Sequence, residues 1–263
     1  KPHRMNQINF DFSTTLVLLL LIVLTSSLIG IILVISNRNS NKKDVIAGLS
    51  LGIILFLFVD NLEGSTMLGI DFGLTRITSN IVLILIFITT IVTLTTIETN
   101  RTEKYRTNKD LENKELAIIF ALIFTFHSMS EGIIIGYNIQ FINEFSINNH
   151  GIQSLSFGLH KLGEAIAITT PFLFIRTIKL RDITKILSIM IMPIIIFTYL
   201  GYQFNIGNLT TYLFAITSGG LVYLIIKVTQ IIKINKYRIN YYLGVIAGIL
   251  FIYLAGFLHS IGL

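Results

Sequence analysis

The amino-acid sequence predicts an all-α integral membrane protein, a bundle of eight transmembrane helices in one domain covering 1–263, with both termini outside. Three observations carry that reading. Apolar residues make up 53% of the chain and charged ones 13%, where a soluble globular domain has about 25% charged, and the mean hydropathy is +0.77. Apolar stretches long enough to cross a hydrocarbon core of about 30 Å recur along the chain. The basic residues collect in alternate connectors between those stretches. Cysteine is absent, which excludes disulfides, thiolate metal sites and thiol nucleophiles. Tryptophan is absent too, leaving tyrosine as the interfacial aromatic with a polar tip.

A short polar lead precedes the first span; Met5 is a candidate natural start, and the sequence leaves open whether Lys1–Arg4 are added or native. Residues 16–35 form a continuous apolar run, longer than the apolar region of about 7–15 residues in a signal peptide, and read as the first span. The second, 45–67, has Gly48 and Gly52, which permit close helix approach; its distal third holds Asp60 and Glu63, three apart and so on one face. Residues 77–97 are the third span, and 98–115 read as a charged cytoplasmic loop. The fourth and fifth spans are 116–139 and 152–175. The sixth, 183–202, contains Pro193 and is expected to break near it. The seventh, 209–232, carries Gly219 and Gly220. The eighth is 241–263, with Gly244, Gly248 and Gly256 as packing positions.

The charges test this order independently. The connectors one–two (Arg38, Lys42, Lys43), three–four (Arg101, Lys104, Arg106, Lys109, Lys114), five–six (Arg176, Lys179, Arg181, Lys185) and seven–eight (Lys227, Lys233, Lys236, Arg238) hold 16 of the 20 basic residues. The other side has Lys1, Arg4 and Arg76. The positive-inside rule then places the four basic connectors in the cytoplasm of a multi-pass cell-membrane protein. Its partner by composition is the lipid bilayer, and nothing in the pattern suggests nucleic acid.

The chemistry concentrates in two segments. His127-Ser-Met-Ser-Glu131-Gly132 lies in the fourth span and His160-Lys-Leu-Gly-Glu164-Ala in the fifth. In each, histidine precedes glutamate by four residues, so both side chains share a helical face one turn apart. His127 is about eleven residues into a span, at ~1.5 Å per residue near mid-membrane, and the second pair sits at similar depth in an antiparallel neighbour. Ionisable groups at that depth face a partner or an aqueous path. Two imidazoles and two carboxylates make a ligand set suited to a divalent metal. The competing reading is an interhelical hydrogen-bond cluster that only holds the bundle together.

The first motif resembles the His-Asn-x-Pro-Glu-Gly of the fourth helix in the ZIP (Zrt-, Irt-like) divalent metal transporters, and the second is similar to that family's His-x-x-Pro-Glu-Gly-x-Ala. Ser188-Ile-Met-Ile-Met192-Pro193 lies where many members have Ser-Gly-x-x-Glu-Pro, and Ala215–Tyr223 is like the family's small-residue stretch in the seventh helix. The resemblance implies a ZIP-type bundle that moves Zn²⁺, or Fe, Mn, Co or Cd, toward the cytoplasm as a transported ligand, through His127, Glu131, His160 and Glu164. It is also compatible with a homodimer. The family often builds a second metal position from the residue after each histidine and the sixth-helix glutamate; here these are Ser128, Lys161 and Met192, which become second-site or tuning positions. Both motif prolines are replaced, by Ser130 and Gly163, so that any local unwinding falls to the glycines.

Lys161 is the one Lys or Arg deep within a span, since Lys185 and Lys227 lie within a few residues of their span ends. It either turns inward toward Glu131 and Glu164 or snorkels to the outer surface. Asp60, Glu63 and His259, all in the outer half, read as an entrance that gathers cations or as interfacial residues satisfied by water. The leading function is a metal transporter and not an enzyme. The alternatives are an intramembrane zinc-dependent hydrolase, for which the His-Glu-x-x-His helix signature is absent, and a metal-binding homologue that does not transport.

Overall fold

The computed structural model describes residues 12–40, 42–71, 76–102, 108–142, 147–231 and 239–261. The polar lead with Met5, the segment 103–107, the basic residues at 233, 236 and 238, and the side chain of His259 lie outside the described residues. Eight helices follow one another: α1 (Phe12–Asn37), α2 (Lys43–Asp71), α3 (Arg76–Thr102), α4 (Lys109–Tyr137), α5 (Ile147–Thr169), α6 (Leu180–Gln203), α7 (Asn208–Ile231) and α8 (Ile239–Ile261). A π-helical turn, Asn138–Ile142, prolongs α4, and a 3-10 turn, Thr170–Phe174, prolongs α5. No strand occurs among the described residues. Among the described residues, seven helices are long and apolar enough to cross a membrane, which makes this a multi-pass membrane architecture. The helix that falls short on apolarity is α5, diluted by Asn148, Asn149, His160, Lys161 and Glu164.

Two expectations about helix boundaries are corrected. Residues 98–115 are mostly helical and not a loop: α3 runs to Thr102 and α4 starts at Lys109. Helices need not stop where the apolar run does. The start of α4 is fixed locally by Asn108, whose side chain accepts from the Leu111 amide at 3.3 Å, and by Asp110 and Glu112 in the first turn, where acidic groups favour the helix dipole. Nor does Pro193 break α6, which continues through it from Leu180 to Gln203. Within a packed bundle, one missing amide donor is tolerated because neighbours resatisfy the freed carbonyl.

Glycines set the tightest contacts. A Cβ on Gly132 would lie 2.6 Å from the Ile194 carbonyl, and one on Gly136 would strike Thr198, so α4 and α6 touch backbone to backbone. Along α2 and α8, Gly48 faces the Tyr241 carbonyl, Gly52 that of Val245, Gly244 that of Val45 and Gly248 that of Leu49. Gly256 departs from the expected packing role, with nothing among the described residues within 4 Å of where its Cβ would be. The buried face of α8 has by then rotated to Ile252 and Ala255. Inside, Ile53, Ile54, Leu57, Phe120, Phe124, Ile168 and Leu221 form one core. Outside, Ile84 and Ile88 of α3 and Leu243, Ile246 and Leu250 of α8 are exposed, the surface that acyl chains cover in a multi-pass protein.

The basic helix ends gather at one end of the bundle. The Lys43 ammonium sits 4.1 Å over the Phe174 ring, Asn113 donates to the Phe174 carbonyl at 3.3 Å, and the Arg176 amide donates to Asp110 at 3.2 Å. Lys114 pairs with Asp182 at 2.7 Å. Thus the ends of α2, α4, α5 and α6 that carry the basic connectors meet, as the alternation of charge requires.

Candidate metal centre

The four expected ligands come together. On α4 the His127 Nε2 lies 3.5 Å from Glu131 Oε1, four residues on. On α5 the His160 Nε2 lies 3.3 Å from Glu164 Oε1, again four residues on. Between the helices, His127 Nε2 is 3.2 Å from His160 Nε2 and 3.4 Å from Glu164 Oε1, and His160 Nε2 is 3.6 Å from Glu131 Oε1. All four donor atoms lie within 4.8 Å of one another. A tetrahedral ion with bonds of about 2.0–2.2 Å separates its ligand atoms by about 3.3–3.6 Å. The five distances therefore match the edges of such a coordination polyhedron, and this group could hold a metal ion.

Regular helix is enough to build it. Both motif segments remain α-helical, and neither unwinds at its glycine. Gly132 serves the contact with α6, and Gly163 faces Ile252 and Phe251 of α8. Ser130 turns back on its own helix, donating to the His127 carbonyl at 2.7 Å. Phe124 stands edge-on to the His127 ring, 6.2 Å of separation places Phe214 on another side, and the two imidazoles lie 5.5 Å apart at 29°. Exposure is asymmetric: the side chains of His127 and Glu164 are 3% and 1% exposed, those of His160 and Glu131 20% and 14%. The centre is closed on one side and reachable on the other.

Lys161 turns inward. It is 1% exposed, and its ammonium donates to both oxygens of Glu164 at 2.8 and 2.9 Å, to Glu131 Oε2, and to Ser128 Oγ at 3.3 Å. Ser128 thus belongs to the surroundings of the centre. Met192 does not: it is 55% exposed on the outer face of α6, whose inward positions are Ile191 and Ile194. Asp60 and Glu63 are exposed and lie off the inward stripe of α2.

One residue of the centre is missing from the sequence reading. Asn61, 1% exposed, places its Oδ1 2.9 Å from His127 Nδ1, while its Nδ2 donates to the Leu57 carbonyl at 2.7 Å. Helical phase would have found it, because Leu57, Asn61 and Ser65 repeat every four residues and all are buried.

No protein-family model matches the chain, and no curated protein matches it in sequence. What fold and centre define together is a class: a multi-pass helical membrane protein with a His/Glu group able to hold a metal ion at its core.

Proposed function

We propose that this protein transports divalent transition-metal ions, Zn²⁺ foremost, toward the cytoplasm in the manner of a ZIP transporter. The observation that carries the reading is the set of 3.2–3.6 Å separations among two imidazole nitrogens and two carboxylate oxygens on adjacent helices. A cluster that only held the bundle together would not need four donor atoms converging on one point. The ion is the cargo, and the partly exposed His160 and Glu131 are the side by which it arrives or leaves. In this reading α5 is the eighth crossing. Its Ser156, Lys161 and Glu164 are buried in the bundle and His160 partly so, so that low apolarity does not bar it from the membrane. Both termini then lie outside the cell membrane and the basic helix ends lie in the cytoplasm.

The test is radiozinc flux into proteoliposomes containing the full chain. Metal-dependent uptake that disappears in Glu131→Gln supports transport through this centre. Metal binding without flux selects the non-transporting homologue, and hydrolysis of a membrane-embedded peptide or lipid substrate without flux selects the enzyme.

A further inference from the structure

We infer that the centre contains two cation positions and that the Lys161 ammonium permanently fills one of them, so that the protein carries a single metal ion. This rests on the metal-transport reading above and deepens it. The two carboxylates are divided between two neighbourhoods. Glu131 Oε1 and Glu164 Oε1 face the Nε2 atoms of both histidines at 3.3–3.6 Å. Glu131 Oε2 and Glu164 Oε2 turn the other way, to Lys161, which also reaches Glu164 Oε1 at 2.8 Å and Ser128 Oγ at 3.3 Å. One neighbourhood has nitrogen donors and suits a transition metal. The other offers oxygens from Ser128, Glu131 and Glu164, with the centre of the Phe157 ring 5.6 Å from the ammonium, and an ammonium with three N–H donors satisfies it.

The arrangement is that of two cations bridged by a pair of carboxylates, with one cation tethered to α5. Lys161 is 1% exposed, so its charge is not dispersed into water. It has two consequences for the cargo. Without a metal, the ammonium balances the charge of one of the two carboxylates and holds both in place. With a metal, it repels the incoming ion across a shared carboxylate, which weakens binding and speeds release. A like charge at such range shifts an ionic equilibrium by about one to three powers of ten.

The experiment counts ions and measures affinity. Purified full-length chain in detergent is titrated with Zn²⁺ and with Cd²⁺ by calorimetry, and bound metal is counted by elemental analysis. Wild type should hold one ion. Lys161→Ala removes both the charge and the bulk, and should hold two. Lys161→Met removes the charge but keeps the bulk; it should hold one ion, bound about tenfold tighter or more. Two ions in wild type overturn the inference and leave the transport reading standing. Wild-type count and affinity in both variants do the same. Should Lys161→Ala fail to fold, the wild-type count and Lys161→Met still decide. No ion in wild type brings down the transport reading itself, and with it this inference.

Discussion

Asn61 of α2 holds His127 of α4 in one orientation. The amide is itself oriented, because its Nδ2 donates to the Leu57 carbonyl at 2.7 Å, which leaves Oδ1 to face the imidazole Nδ1 at 2.9 Å. An oxygen acceptor there requires the proton on Nδ1, and the Nε2 lone pair is then free for a metal. Hydrogen bonds of this kind to a ligating histidine fix its tautomer and raise its basicity.

Asn61→Leu should therefore lower Zn²⁺ affinity by about 10–100-fold, the usual cost of removing such a partner. Asn61→Asp keeps an acceptor and should bind at least as well as wild type. Zinc titration of both variants checks this. Wild-type affinity in Asn61→Leu would reduce the contact to packing.

The two glutamates should differ when replaced. Both supply charge that a desolvated M²⁺ needs, so Glu131→Gln and Glu164→Gln should each remove most binding. The Glu164 side chain, however, is 1% exposed and engages Lys161 through both oxygens, whereas that of Glu131 is 14% exposed and offers it one. Removing one partner of a buried pair costs about 3–5 kcal/mol where the other charge is left uncompensated; Glu131 still pairs with Lys161, so the cost here is a part of that. Glu164→Gln should accordingly melt well below Glu131→Gln in detergent. Equal melting temperatures with equal loss of metal would show that the ammonium does not depend on Glu164.

How much of this the sequence discloses follows from what each signal measures. Apolar runs and the alternation of Lys and Arg reveal the helices because lipid imposes one requirement on every span. The pairs His127/Glu131 and His160/Glu164 are visible because spacing within a helix fixes a shared face. What stays hidden depends on rotation about a helix axis relative to its neighbours. Asp60 and Asn61 are one residue apart, yet about 100° of rotation sends them to different surroundings. Met192 sits beside Pro193 as a family motif would have it, but α6 turns Ile191 and Ile194 inward. The extent of α3 and α4 beyond their apolar runs was hidden for another reason, since capping by Asn108 and the first-turn acids operates outside the hydrocarbon.

In the transport reading proposed above, Asp60 and Glu63 act on uptake although they lie off the centre. An exposed acidic pair in the second half of α2 raises the local concentration of cations without binding the cargo tightly. The double substitution Asp60→Asn/Glu63→Gln should slow uptake at limiting metal, by a factor that shrinks as salt is added. Affinity at the centre should stay unchanged. Uptake equal to wild type at low metal and low salt would remove the entrance role.

The last prediction concerns the joint between α2 and α8, because α2 carries Asn61. Four glycines make that joint reciprocally: Gly48 and Gly52 face carbonyls of Tyr241 and Val245, and Gly244 and Gly248 face those of Val45 and Leu49. In lipid, helix association has no hydrophobic drive and depends on such close backbone approach. A Cβ at Gly248 has only backbone to push against, and backbone gives way by moving the whole helix. Gly248→Ala should thus destabilise the protein by about 1–3 kcal/mol, and Gly248→Leu by more. Gly256 supplies the control on the same helix. It has open space around it, and Gly256→Ala should be neutral or stabilising by up to about 1 kcal/mol through helix propensity alone. Displacing α2 from α8 should also disturb the bond from Asn61 to His127, so Gly248→Leu should lose zinc affinity while Gly256→Ala keeps it. Thermal melting and zinc titration of the three variants decide the matter: if Gly248→Ala and Gly256→Ala melt together, the glycine joint is not what holds α2 in place.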